Sequence, residues 1–213
     1  MDWGLVAFDF DGTLSDSEMT VLLGEQQGVA EDMSRITEQA MADEIEYATS
    51  LRRRAGLLEG LSVEAADRAF DAVELRPGTA AVISTIRDAG LRTAILTGGF
   101  ERGVERALSR AETTVDRIIA NRLPVADGTL TGEVEGPLIE GTKDDALGAL
   151  AAEWNIDLAA TVAVGDGAND LPMLETAGLA IGFQPKPAVE PACDLVVDSM
   201  AELQTALEDQ NVI

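Results

Sequence analysis

Four stretches of this chain carry residue types that do chemistry when they are held together. They are Asp9-Phe10-Asp11-Gly12-Thr13, Thr97-Gly98-Gly99, Lys143, and Gly165-Asp166-Gly167-Ala168-Asn169-Asp170. An isolated Asp-x-Asp is a common turn, and Thr-Gly-Gly alone can be only a tight connection. Gathered in one crevice, the set supplies four carboxylates, a hydroxyl, an ammonium and several free backbone amides. So many acids repel one another unless a cation neutralises them. With oxygen donors and no imidazole among them, the ion is a hard one, and Mg²⁺ is the usual partner of a phosphate. Cation, lysine, hydroxyl and amides together suit a phosphoryl group, whose charge spreads over its oxygens during transfer.

The surrounding elements are of the kind that can gather these residues. Gly4 to Phe10 is a short apolar run ending at an acid. Thr93 to Leu96 and Thr161 to Val164 end at the second and fourth stretches, and Leu179 to Ile181 and Leu195 to Val197 are further short runs. Near-continuous apolar strands separated by helical segments indicate a parallel sheet buried on both faces. Ligands of such an α/β sheet bind at the carboxyl ends of its strands, where the four stretches fall. The spacing predicts helices over 79–89, 101–110, 143–154, 170–176 and 199–208, with Asn169 and Asp170 as helix caps ahead of Pro172. Residues 121–136 read as a hairpin turning at Asp127-Gly128. Residues 14–75 read as wholly helical, a small insertion after the first strand, so the expected division is a core of 1–13 and 76–213 with a helical cap of 14–75.

Composition narrows the chemistry further. The chain has 213 residues, 39 Asp plus Glu against 15 Lys plus Arg, and no histidine. That absence excludes a Ser-His-Asp triad and any zinc site that needs imidazole. The single Cys193 excludes an intrachain disulfide, and a reducing cytoplasm is the expected setting. A net charge of -24 argues against nucleic acid and anionic membranes as partners. A small-molecule substrate is expected, with the chain a monomer or a homodimer. Only Lys143 and Lys186 are lysines; the other basic residues are arginine. A lysine-poor, carboxylate-rich chain fits a high-salt cytoplasm, where self-repulsion is screened within about 3 Å at molar salt.

The four stretches, in this order, resemble the motifs of the haloacid dehalogenase superfamily. That resemblance implies Asp9 as the nucleophile of an aspartyl-phosphate and Asp11 as the general acid and base. It implies Thr97 and Lys143 as phosphate ligands, with Lys143 also offsetting the charge of Asp9. It places Mg²⁺ on the Asp9 carboxylate, the Asp11 carbonyl and Asp166, with Asp170 supporting the metal site. Within the superfamily, Asp11 argues against a dehalogenase. The absence of lysine from 14–75 argues against a phosphonate hydrolase, and the lack of membrane spans against an ion pump.

The helical insertion carries the specificity residues. By helical spacing Arg54 shares a stripe with Leu51, Ala55 and Leu58, and Glu18 with Val21 and Leu22. Charged groups facing an apolar interior are costly unless paired. They pair with each other, or Glu18 binds an ammonium and Arg54 a carboxylate, which together recognise an amino acid. Asp16-Ser17-Glu18, Glu38 to Met41, Tyr47, Ser50 to Arg54, Ala120 to Leu123 and Thr131 to Gly136 resemble the phosphoserine phosphatases of that superfamily. The resemblance implies Glu18 on the substrate amine and Arg54 on its carboxylate. It implies Met41 and Tyr47 around the short side chain, and further contacts from Gly98, Gly99 and Asn169. The expected reaction is Mg²⁺-dependent hydrolysis of O-phosphoserine. Transfer to homoserine or hydrolysis of another small phosphomonoester is the nearest alternative. A phospho-accepting signalling domain is the alternative from a different class, opposed by Asp11 and by the insertion.

Overall fold

A computed structural model describes residues 2–41 and 44–213, Met41 by its backbone alone. The order of elements is β1 (Leu5–Phe8), α1 (Met19–Gln27), α2 (Ala30–Met41), α3 (Tyr47–Gly56), α4 (Val63–Asp71), α5 (Thr79–Asp88), β2 (Arg92–Phe100), α6 (Glu101–Arg110), β3 (Arg117–Asn121), β4 (Val125–Ala126), β5 (Thr129–Leu130), α7 (Lys143–Trp154), β6 (Thr161–Gly165), α8 (Leu171–Thr176), β7 (Leu179–Phe183), β8 (Leu195–Val197) and α9 (Met200–Asp209). Six strands form one parallel sheet in the order β3-β2-β1-β6-β7-β8. The chain winds outward from β1 in both directions, so β1 and β6 flank the switch point where a crevice opens at their carboxyl ends.

Burial explains the apolar runs. β1, β6 and β7 are buried along their whole length, and successive side chains serve opposite faces. Val6, Phe8, Ile95, Val164 and Ile181 enter one apolar cluster, with Leu203 of α9 and Phe70 of α4. Leu5, Ala7, Ala94, Leu96, Ala163 and Ala180 enter the other, beneath Leu147 and Leu150 of α7 and Met173 of α8. The helices predicted from spacing form within a residue or two of their expected ends. The parallel sheet with helices on both faces is the architecture the runs implied.

One detail differs from the expectation. Arg117–Asn121 is a sixth sheet strand, at the edge beside β2, with Ile118-Ile119-Ala120 as its short apolar run. The hairpin expected over 121–136 forms: β4 and β5 turn at Asp127 (φ 49) and Gly128 (φ 79), and Arg122 pairs antiparallel with Glu135 at its base, their N–H groups donating to each other's carbonyls at 2.7 and 3.0 Å. Two successive left-handed residues match the twist of a tight antiparallel hairpin.

α1–α4 lie between β1 and α5 and join the sheet through a narrow neck. Ser15 bridges Leu75, the Arg76 N–H donates to the Leu14 carbonyl at 2.8 Å, and Ser15 Oγ donates to the Glu74 carbonyl at 2.7 Å. Met19, Leu23, Leu51, Leu58 and Phe70 of this block belong to the same apolar cluster as Phe8 and Phe10. Arginines of α6 reach α4, with Arg102 2.5 Å and Arg106 2.9 Å from Asp67, and Arg106 2.6 Å from Asp71. These pairs are solvent-facing and fix orientation more than they add stability. Among the described residues no helix is long and apolar enough to cross a membrane.

Candidate active site

The carboxyl ends of β1, β2 and β6 and the first residue of α7 deliver their side chains to one point. Asp9 follows β1 directly, its N–H donating to the Val164 carbonyl at 2.9 Å, so it enters the crevice in register with β6. Lys143 opens α7 and is buried. Its Nζ lies 2.5 Å from Asp9 Oδ1 and 2.5 Å from Asp170 Oδ1. Asp170 Oδ2 accepts the backbone N–H groups of Asp166 at 3.0 Å and Gly167 at 2.9 Å. The cap expected of Asp170 for α8 is therefore not made: its side chain turns back onto the loop after β6, and α8 starts without a side-chain cap.

One ammonium thus serves two buried carboxylates, leaving the trio with one negative charge in excess. Asp170 has backbone donors for its second oxygen, whereas among the described residues no N–H donates to the second oxygen of Asp9. Burial, together with the charges of Asp170 and Asp166, pushes Asp9 up to about 7 against the pull of Lys143. Burial likewise raises Asp166. Donor oxygens of Asp9, Asp166 and Asp170 lie within 4.8 Å of one another, so the cluster has the all-carboxylate donor set of a hard divalent cation. The loop of Gly12 makes room for it: φ is +88°, and a Cβ there would stand 2.7 Å from Asp166 Oδ1.

Asp11 lies across the crevice from Lys143. Burial, and then the nearby acids Glu18 and Asp9, hold its carboxyl well above the ordinary range, and its Oδ1 is buried without a partner. A carboxyl whose proton is held more tightly in such a place is suited to donate it to a leaving oxygen. Its other oxygen faces Gly99, whose Cβ, if present, would stand 2.8 Å away. Pairing between β2 and β3 shifts register between Leu96 and Phe100, so Thr97-Gly98-Gly99 forms a bulge that aims the Thr97 side chain and nearby amides inward. Thr97 is buried, and its Oγ1 accepts the Gly99 N–H at 3.0 Å, leaving the hydroxyl proton free to donate.

Residues of the helical block reach the same mouth. Tyr47, the first residue of α3, covers Gly98 so closely that a Cβ there would meet the phenol oxygen at 1.9 Å. Arg54 is half-buried, donates through Nη1 to Thr20 Oγ1 at 3.3 Å, and keeps a buried Nε without a partner. Glu18 corrects the stripe reading. It precedes α1 in an extended conformation (φ -101°, ψ 107°) and is exposed at the mouth, because helical periodicity holds only within the helix. Among the described residues Glu18 and Arg54 do not pair with each other, although each lies near enough to shift the other's proton affinity. Asn169 is exposed in the 3-10 turn after β6. The Met41 side chain lies outside the described residues.

Three contributors escaped the motif reading. Asn121 Nδ2 donates to the Gly98 carbonyl at 3.0 Å while its Oδ1 accepts the Leu138 N–H at 3.2 Å, clamping the bulge from behind. Arg76 donates to the Gly12 carbonyl at 3.0 Å and stacks over Phe183, its guanidinium carbon 5.1 Å from the ring centre. Lys186 Nζ is 3.3 Å from Asp166 Oδ2. Lys186 had a signal in the sequence as the other surviving lysine, and Asn121 lay within the Ala120 to Leu123 stretch with no role attached to it; Arg76 had none.

The sequence model of the haloacid dehalogenase-like hydrolases matches residues 6–175 of the chain. A phosphoserine phosphatase of Halobacterium salinarum is 50% identical over 208 residues, covering 98% of this chain and 99% of that protein. The chain belongs to the phosphoserine phosphatase family of these hydrolases. A second family member, from Lactococcus lactis, is 39% identical over 96% of this chain and 94% of its own length. Among solved structures, a phospho-aspartyl intermediate analogue of phosphoserine phosphatase superposes with a TM-score of 0.88 at 34% identity, covering 97% of this chain and 99% of that one. A substrate-bound phosphoserine phosphatase complex matches with a TM-score of 0.88 at 33% identity over the same shares. Membership of this family makes the chain a phosphatase rather than a signalling domain.

Proposed function

We propose that this protein hydrolyses O-phosphoserine to serine and phosphate through an aspartyl-phosphate on Asp9. The observation that supports it most is the pairing of two carboxyls in opposite roles. Asp9 lies against the Lys143 ammonium, while burial and the nearby acids Glu18 and Asp9 raise the Asp11 carboxyl and favour its protonated form. A divalent cation, Mg²⁺ by its donor set, would sit on Asp9, the Asp11 carbonyl and Asp166 and neutralise charge on the phosphoryl oxygens. Asp170 would brace Lys143 and the loop of Asp166 from behind.

In the first step an Asp9 oxygen bonds to phosphorus, the bond from phosphorus to the serine oxygen breaks, and Asp11 gives that oxygen its proton. In the second, Asp11, now ionised, takes a proton from water as the water oxygen attacks phosphorus and the Asp9 carboxylate is released. Thr97 and Lys143 would hold the phosphoryl oxygens throughout. Gly98 and Gly99 let the backbone approach them. The helical block 14–75 would act as a cap over the core of 1–13 and 76–213, excluding bulk water during transfer. Within it Glu18 would receive the substrate amine and Arg54 its carboxylate. Tyr47, with Met41, would close around the short side chain, and Asn169 would line the mouth. A cytoplasm of high salt is the setting that the charge of -24 and the Halobacterium relative support.

A panel of phosphomonoesters with Mg²⁺ at low and molar KCl tests the substrate. Phosphoserine should exceed phosphothreonine and sugar phosphates by more than about threefold in kcat/KM. Equal rates would leave a broad phosphatase, and homoserine phosphate formed on adding homoserine would make the protein a transferase. Arg54→Ala should raise KM for phosphoserine by about ten- to a hundredfold, the worth of a charged hydrogen-bond pair. KM for p-nitrophenyl phosphate, which has no carboxylate, should stay nearly constant. Equal losses on both would remove Arg54 from carboxylate recognition.

A further inference from the structure

The loop after β7 carries the chain's second lysine onto the acidic cluster. Lys186 stands between Pro185 and Pro187, after Gln184 in a left-handed conformation (φ 45), so its main chain is stiff. Its carbonyl accepts the N–H groups of Val189 at 2.8 Å and Glu190 at 3.2 Å. It grips Asp166 twice. Its backbone N–H donates to the Asp166 carbonyl at 2.9 Å, and its Nζ lies 3.3 Å from Asp166 Oδ2. Unlike Lys143, whose side chain is 4% exposed, the Lys186 side chain is 48% exposed and faces the mouth. A Cβ on Gly167 would be 3.5 Å from its Nζ and 2.7 Å from Asn169 Oδ1, so the ammonium lies over this glycine. It is also the strongest positive influence on Glu18, ahead of Arg54.

We propose that Lys186 is a positioning residue that sets the charge balance of the cluster: its ammonium competes with a divalent cation for Asp166 and draws the phosphomonoester dianion into the mouth. This rests on the reading of the site given under Proposed function. A single positive charge then acts with opposite sign on the two ligands, weakening the cation and strengthening the ester. Lysine suits the task, since a compact ammonium on a flexible stem can yield Asp166 to a cation, whereas a guanidinium fork holds a carboxylate more rigidly. In a chain of charge -24, a cation at the mouth also offsets the field that repels an anionic substrate.

The test compares wild type, Lys186→Met, Lys186→Gln and Lys186→Arg at one fixed ionic strength. Binding of Mn²⁺ alone is measured by calorimetry and by the electron paramagnetic resonance signal of free Mn²⁺. KM and kcat for phosphoserine are measured at saturating Mg²⁺. Removing one charge a few ångströms from each ligand should tighten Mn²⁺ by about three- to tenfold and raise KM by a similar factor, with kcat within about twofold. Lys186→Arg keeps the charge, so its KM should stay near wild type, while its firmer hold on Asp166 should weaken Mn²⁺ binding rather than tighten it. Loosening of the loop would weaken both ligands together, so weaker Mn²⁺ binding in both neutral variants overturns the proposal, as does an unchanged Mn²⁺ affinity or an unchanged KM. Failure of the underlying site reading looks different, because wild type itself would then bind no Mn²⁺ or leave phosphoserine intact.

Discussion

Asp9→Asn is expected to abolish turnover, by at least about a thousandfold, while the protein still folds. An amide is a poor nucleophile towards phosphorus, yet its carbonyl can still accept from Lys143 where Asp9 Oδ1 does at 2.5 Å. The stability consequence has a definite sign. Asp9 is held up to about 7, above its ordinary 3.8, so the folded protein binds this proton more tightly than the unfolded chain. The stability from that proton is fully present below about pH 4 and is lost as pH rises through about 7. In a chelating buffer the melting temperature of Asp9→Asn should therefore gain on wild type as pH is raised from about 5 to about 8. Residual turnover beyond that limit would take the nucleophile away from Asp9. A difference that shrinks with pH would contradict the charge excess in the trio.

Lys143→Ala should remove most activity and cost roughly 3–5 kcal/mol of stability, the penalty of leaving buried carboxylates without their counter-ion. Both Asp9 and Asp170 lose the same partner, and their side chains are 5% and 0% exposed, so water cannot replace it. Protonation of Asp9, already pushed up to about 7, relieves part of that cost. The loss should accordingly be smaller near pH 5 than near pH 8, as read by denaturant unfolding at both. Activity should remain low at molar KCl, since diffuse salt screens a buried site far less than a surface pair. A variant as stable as wild type at pH 8 would mean that the two acids are not ionised together in the folded protein.

Much of this arrangement was legible from residue order. Strands buried on both faces must be apolar throughout, so Leu5–Phe8, Thr161–Gly165 and Leu179–Phe183 announced themselves, and Asp9 and Asp166, which follow the first two, marked the carboxyl edge of the sheet. Arg117–Asn121 did not, because its run, Ile118-Ile119-Ala120, is short and closed on both sides by polar residues. Glu18 was placed on a helical stripe, but periodicity is informative only where the chain is helical, and Glu18 stands one residue before α1. Asn121 was noted for its neighbours rather than for its amide. Its grip on Gly98 depends on a register shift between β2 and β3 that no local pattern encodes.

The sequence by itself determined the family, the parallel sheet and the chemistry at its edge, because these depend on residue types at short spacing and on strands that bury both faces. Scarcity of lysine singled out Lys143 at a phosphate site, and the same scarcity pointed to Lys186 without saying where it would sit. Only the tertiary structure decided how the charges are shared. Lys143 is divided between Asp9 and Asp170, Asp170 turns away from the helix it was expected to cap, Asp11 is left with a buried oxygen unsatisfied, and Lys186 folds back onto Asp166. The physical reason is that pairing between residues 27 to 134 positions apart, and the burial that shifts their acidity, exist only once distant strand ends share one crevice.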